Sequence, residues 1–189
     1  MKRDNQKGFS LIELIVIFAI MAILMGMLSY SLNLFIGWEA RGSARKLSSQ
    51  LDEVKTGTMS RGNETMTLQY HAKDSDVTYT EDGIYVVKEI KTIDEFAEFT
   101  KILSEETDLI AGSQVQMKVF LSSGTSIVID SAHPTNSVTI RFKRTNGAYD
   151  TTYIGGVDTG AFVTKIEITK GYKTVTILTD AESGKHKIQ

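Results

Sequence analysis

The sequence predicts an α+β protein. A long N-terminal helix, apolar in its first half and amphipathic in its second, carries a mainly antiparallel β domain of one or two small sheets. Three observations predict this. No charged residue occurs between Leu14 and Trp38. Ala40, Ala44, Leu47, Leu51, Val54 and Thr58 then recur at spacings of four and three, the stripe of an amphipathic helix. Beyond Arg61 the chain turns to period-two alternation punctuated by Gly turns, the pattern of half-buried strands.

The 189 residues allow one domain plus an extension, and a formal net charge of −2 implies no strong bulk attraction to nucleic acid or acidic lipid. The absence of Cys excludes disulfides and thiolate metal sites. The single proline, Pro134, lies far from the N-terminal segment, so nothing there forces a kink.

The uncharged run is long enough for a helix to span a hydrocarbon core, which takes roughly 20 residues. Lys2, Arg3 and Lys7 precede it, and positive flanks stay cytoplasmic. The expected topology is a single pass of the cytoplasmic membrane with the N-terminus inside. A removable secretory signal fits poorly, because the run exceeds the usual ~7–15-residue apolar core and no A-x-A site follows. A plain signal anchor fits length and topology equally well but leaves Glu13 unexplained. That acid stands among Leu11, Ile12, Leu14 and Ile15. At the centre of a spanning helix it would cost about 2.5–3.5 kcal/mol, and less near the end. It is either an interfacial acid favoured by the helix N-terminal dipole or an acid kept for a function.

The segment Lys7-Gly8-Phe9-Ser10-Leu11-Ile12-Glu13-Leu14-Ile15 resembles the type III signal of type IV prepilins and pseudopilins. The resemblance implies cleavage by a prepilin peptidase after Gly8, N-methylation of Phe9, and use of Glu13 in assembly. Ser10 stands where the family most often has Thr, and the proline that many major pilins carry along the apolar helix is missing. The implied layout is a leader at 1–8, a transmembrane and assembly half-helix at 9–38, and a globular domain at 39–189. The implied partners are other pilins in a filament, the peptidase, the membrane, and an assembly platform with its ATPase. The mature chain would reside in an extracellular or periplasmic filament of a type IV pilus, or of a secretion or competence pseudopilus.

The amphipathic helix is expected to stop at Arg61-Gly62-Asn63. Gly26 and Gly37 interrupt the long helix; they either mark places where it melts or a neighbour approaches closely, or are simply tolerated. Met66, Leu68 and Tyr70 predict the first strand and Ile84–Val87 the second. Thr92 and Glu95 read as a capping box, with Phe96, Phe99, Ile102 and Leu103 as the buried face of a short helix. Val115, Met117, Val119 and Leu121 alternate cleanly, and Ser123-Gly124 turns the chain into Ile127–Ile129. Val138, Ile140 and Phe142 lead to a hairpin at Thr145-Asn146-Gly147, with Tyr149, Thr151 and Tyr153 as the return. Ile166 and Ile168 pair with Val175 and Ile177 around Gly171, and Ser183-Gly184 precedes a closing strand. The helix stripe, the 65–70 strand, Ile140-Arg141-Phe142 before Asn146-Gly147 and the terminal hairpin resemble H-type minor pseudopilins and FimT-like pilins. That likeness implies a minor subunit at or near a filament tip.

Nothing in the sequence points to catalysis. His71, His133 and His186 are scattered, and no HExxH, P-loop, GxGxxG or GxSxG occurs. The expectation is a non-enzyme without cofactor or metal. Asp74, Asp76, Glu81 and Asp82 read as a solvated acidic loop, since their spacing does not match an EF-hand. Arg141, Lys143 and Arg144 near one turn, with Lys185 and Lys187 near another, are candidate phosphate contacts if the turns meet. They give the alternative function, a tip-located recognition pilin that binds DNA or a surface ligand. The plain reading of Arg141 and Lys143 is the solvated face of a half-buried strand.

Overall fold

The computed structural model describes residues 11–74, 78–93 and 100–189, with the side chains of 28–36, 92–93 and 100–103 left out of the description. By internal contacts the chain divides into two units, residues 1–36 and Gly37–Gln189.

Helix α1 spans Leu11–Arg61 and runs through both Gly26 and Gly37 without a break. Over Leu11–Met27 its described side chains are exposed, Leu11 and Ile12 most of all. In the second unit the predicted stripe is the buried one. Ala40, Ala44, Leu47, Leu51 and Val54 have no exposed surface, and Thr58 is nearly closed off. A fully buried aliphatic side chain contributes about 1.5–3 kcal/mol. Leu47, Leu51 and Val54 therefore hold this half of α1 more firmly than a cap worth about 1 kcal/mol could. The helix ends where expected, with Gly62 N–H donating to Thr58 C=O at 3.1 Å.

The strands form two antiparallel sheets. The first, ordered β3-β2-β1-β6-β7-β8, contains β1 (Glu64–His71), β2 (Gly83–Ile93), β3 (Thr100–Gly112), β6 (Ser137–Arg141), β7 (Tyr153–Ile154) and β8 (Val157–Asp158). The second, ordered β11-β10-β9-β4-β5, contains β4 (Val115–Leu121), β5 (Ser126–Ile129), β9 (Val163–Lys170), β10 (Lys173–Thr179) and β11 (His186–Ile188). Strand β1 lies between β2 and β6, in a register that sets Thr65 opposite Arg141, Met66 opposite Ile140 and Leu68 opposite Val138. Alternation then sends Met66, Leu68, Ile84, Val86, Val138 and Ile140 into the core. The second sheet contributes Met117, Val119, Ile166, Ile168 and Ile177 to the same core, which also takes in the α1 stripe.

One predicted element is corrected. Thr92 does not cap a helix and Ile102 and Leu103 are not its buried face, because Thr92 pairs with Lys101, and Ile93 with Thr100, in the β2–β3 ladder. Glu95, Phe96 and Phe99 lie outside the described residues. Pairing along the whole of β2 overrides an apolar spacing that, taken locally, fits a helix equally well. Strand β3 escaped the sequence reading because it is an edge strand. Its Ser104-Glu105-Glu106 stretch is exposed and carries no alternation, which also discourages pairing with another chain.

Two polar features brace the fold. Lys88, almost closed off from solvent, points toward α1 and meets Glu106 at 2.9 Å and Glu53 at 3.1 Å. Burial opposes its charge, but those two carboxylates prevail and raise its pKa. Asp130 closes the β5–β6 connection. It accepts the N–H groups of Ala132 and His133 at 3.0 Å, Gln116 Nε2 at 2.7 Å and His133 Nδ1 at 2.7 Å. Burial works against the carboxylate, yet these donors win and lower its pKa. A depressed carboxylate pKa gives stability that is present above the unfolded-state value and lost as pH falls through the folded one. Asp130→Asn should therefore cost about 1–3 kcal/mol at neutral pH. Chemical denaturation of the two proteins along a pH series should show this gap shrinking as pH drops below the ordinary aspartate range.

Candidate functional site

The first candidate region is the N-terminus. Gly8 and Phe9 lie outside the described residues. Glu13 falls in the first turn of α1 and its residue is exposed. A carboxylate there meets the positive end of the helix dipole, where unsatisfied N–H groups favour an anion. Around it Leu11, Ile12, Leu14 and Ile15 present an apolar surface. Among the described residues no helix is long and apolar enough to cross a membrane. The side chains of 28–36, through which the uncharged run continues, are not among those described.

Residues 3–29 match the family model of the prokaryotic N-terminal methylation motif. The chain carries a type IV prepilin signal. The match encloses Gly8, Phe9 and Glu13 and agrees with the resemblance read from Lys7–Ile15. It covers a small part of the chain, and its subject is the signal rather than the β domain. No curated protein and no solved structure matches the chain significantly.

Beyond the prepilin signal, the basic residues separate into different settings. The turn after β6 meets the turn after β10. Tyr149 N–H donates to Ala181 C=O at 3.0 Å, and a Cβ placed on Gly184 would fall 1.8 Å from the Gly147 carbonyl oxygen. Lys143 and Lys185, one near each turn, are exposed. Lys187 is exposed on β11, its backbone opposite Leu178. Arg144 lies beside Gly62, at the negative end of α1, where a cation is favoured. Neighbouring His186 is a packing residue, with Nε2 2.8 Å from Ser48 Oγ.

Arg141 is held apart from this group. Its Nη1–H donates to Tyr153 Oη at 3.0 Å and its guanidinium lies 5.6 Å from the Tyr153 ring centroid. Together they line a cleft of about 400 Å³ with Asn63, Thr65, Thr139 and Lys91. Lys91 Nζ meets Glu89 at 2.6 Å, and its N–H donates to Asn63 C=O at 3.1 Å. Thr139 and Thr67 share a hydrogen bond of 2.8 Å between their hydroxyls. Thr65 is 6% exposed, and its buried hydroxyl has no hydrogen-bond partner. The sequence reading named Arg141 but missed the cleft, since only the β1–β6 register brings Thr65 to it across a long stretch of chain.

The acidic loop is described only in part. Asp76 lies outside the described residues, and Asp82 Oδ1 accepts the Lys73 N–H at 2.6 Å. Among the described residues no cluster of His, Asp and Glu could hold a metal ion. Ring stacking joins His71 to Tyr79 at 3.9 Å, and burial lowers the His71 pKa.

Proposed function

We propose that this protein is a structural subunit, of the minor kind, of a type IV pilus or a related secretion or competence pseudopilus, without catalytic activity. The observation that carries the reading is the prepilin signal at residues 3–29. It implies removal of the leader after Gly8 by the peptidase, methylation of Phe9, and assembly with other pilins through a platform and its ATPase. The uncharged run supports a single pass of the cytoplasmic membrane before the subunit enters a filament. The β domain supports the reading physically. Its core is built from its own strands and the α1 stripe, and the apolar residues Leu11–Met27 are left for lipid or neighbouring helices.

The test is a block at the scissile position. Gly lacks a side chain, which suits a residue that enters a narrow cleft extended. Gly8→Leu should leave an uncut precursor in the membrane and remove the protein from sheared filaments, whereas the unaltered chain appears there in its shorter form. A Gly8→Leu chain that is cut and incorporated normally contradicts the reading.

The recognition role is the second reading. It is favoured by the contact of the two turns near Lys143 and Lys185, and its mark would be DNA binding lost on substituting both lysines.

A further inference from the structure

We propose that the cleft on the outer face of the first sheet is a binding site for a carboxylate group. Its cationic centre is Arg141, on β6, and Thr65 sits opposite it on β1. A guanidinium presents a planar fork of N–H donors that matches the two oxygens of a carboxylate. Tyr153 fixes that fork in place by accepting one N–H and lying beneath the cation. The Thr65 hydroxyl supplies an independent sign of a ligand. Buried hydroxyls are nearly always hydrogen-bonded, and one without a partner costs stability. Thr65 is more than nine-tenths buried, borders the cleft and has no partner for its oxygen. An acceptor entering beside Arg141 would take its O–H.

The charge in the cleft selects the kind of anion. Lys91 is already neutralised by Glu89, 2.6 Å away. Asp158 lies within the field of Arg141, although hydrogen bonds from Thr151 and Gly160 do more to favour its charged form. What remains is close to one positive charge or less, which suits a monoanion and disfavours a phosphate dianion. Asn63 and Thr139 add polar groups at the rim, and the volume of about 400 Å³ admits a sugar-sized group. The carboxylate can therefore belong to an acidic sugar or to an acidic side chain.

The full chain, held in amine oxide micelles that bring neither phosphate nor sugar, is titrated with glucuronate, acetate, glucose and inorganic phosphate. Labelled Thr methyl and Arg Nε resonances report binding. Glucuronate or acetate should shift the Thr65 and Arg141 signals to saturation, and the tighter of the two identifies the source. Glucose and phosphate should bind more weakly. Arg141→Gln should weaken carboxylate binding at least about tenfold, and Thr65→Val about fivefold. Thr65→Val also removes an unsatisfied buried hydroxyl, so its melting temperature should rise while its affinity falls. A purely structural Thr65 would give the rise alone. The proposal is overturned if neither carboxylate saturates, if phosphate binds as tightly, or if both variants bind like the unaltered chain.

Discussion

Replacing Glu13 by Val should leave membrane insertion and cleavage largely intact while cutting incorporation into filaments on the order of 100-fold. Cleavage at Gly8 would expose the Phe9 amine, four residues before the carboxylate in the chain. Methylation leaves that amine cationic. In lipid or a packed bundle of helices neither charge is stable alone, and leaving one buried without its partner costs about 3–5 kcal/mol. We propose that Glu13 of one subunit neutralises the Phe9 amine of the next and so fixes axial register. Helices packed only through Leu, Ile and Met can slide, and one charge at a fixed height prevents it. Valine makes the segment more apolar and spares Gly8, so only assembly should suffer. The measurements are the cleaved fraction by mass spectrometry and the amount recovered with sheared filaments. Normal recovery would sink the register idea. Crosslinking between subunits at Phe9 and Glu13 separates it from a pair formed within one chain.

The second large effect is expected at Gly184. Its φ is +61°, and a Cβ there would fall 1.8 Å from the Gly147 carbonyl oxygen, a backbone atom that cannot rotate away. The same joint holds α1, since Lys55 Nζ donates to Ser183 C=O at 2.8 Å. Gly184→Ala must therefore separate the two turns and strain the helix contact, at a cost of roughly 2–4 kcal/mol. Gly124 is the internal control. Its φ is +84° but open space surrounds it, so Gly124→Ala carries only the backbone penalty of about 1–2 kcal/mol. Denaturant unfolding of both variants isolates the close approach as the difference between them. Equal losses would mean that the turns can part freely.

How much of this was legible in the sequence depended on the range of each interaction. The α1 stripe was readable residue by residue, because a helical face is set by local spacing and every member from Ala40 to Thr58 is buried. Strands with one buried face, such as Val115–Leu121, declared themselves through alternation in the same way. Strand β3 did not, because its buried residues, Ile110 and Ala111, are neighbours at one end, while Ser104-Glu105-Glu106 is exposed without alternation. The mistaken helix near Thr92 has the same origin, a local pattern overruled by pairing with residues further along. At the N-terminus the signal could be read because its residues, Lys7 to Ile15, are contiguous in the chain. The cleft at Arg141 could not, since Thr65, Lys91 and Tyr153 come together only through strand order.

Intact mass spectrometry of the chain recovered from its native membrane or filament decides whether the leader is removed. The expected protein begins at Phe9 and carries one methyl group on its amine. A chain beginning at Met1, or one starting beyond Tyr30, would contradict cleavage after Gly8.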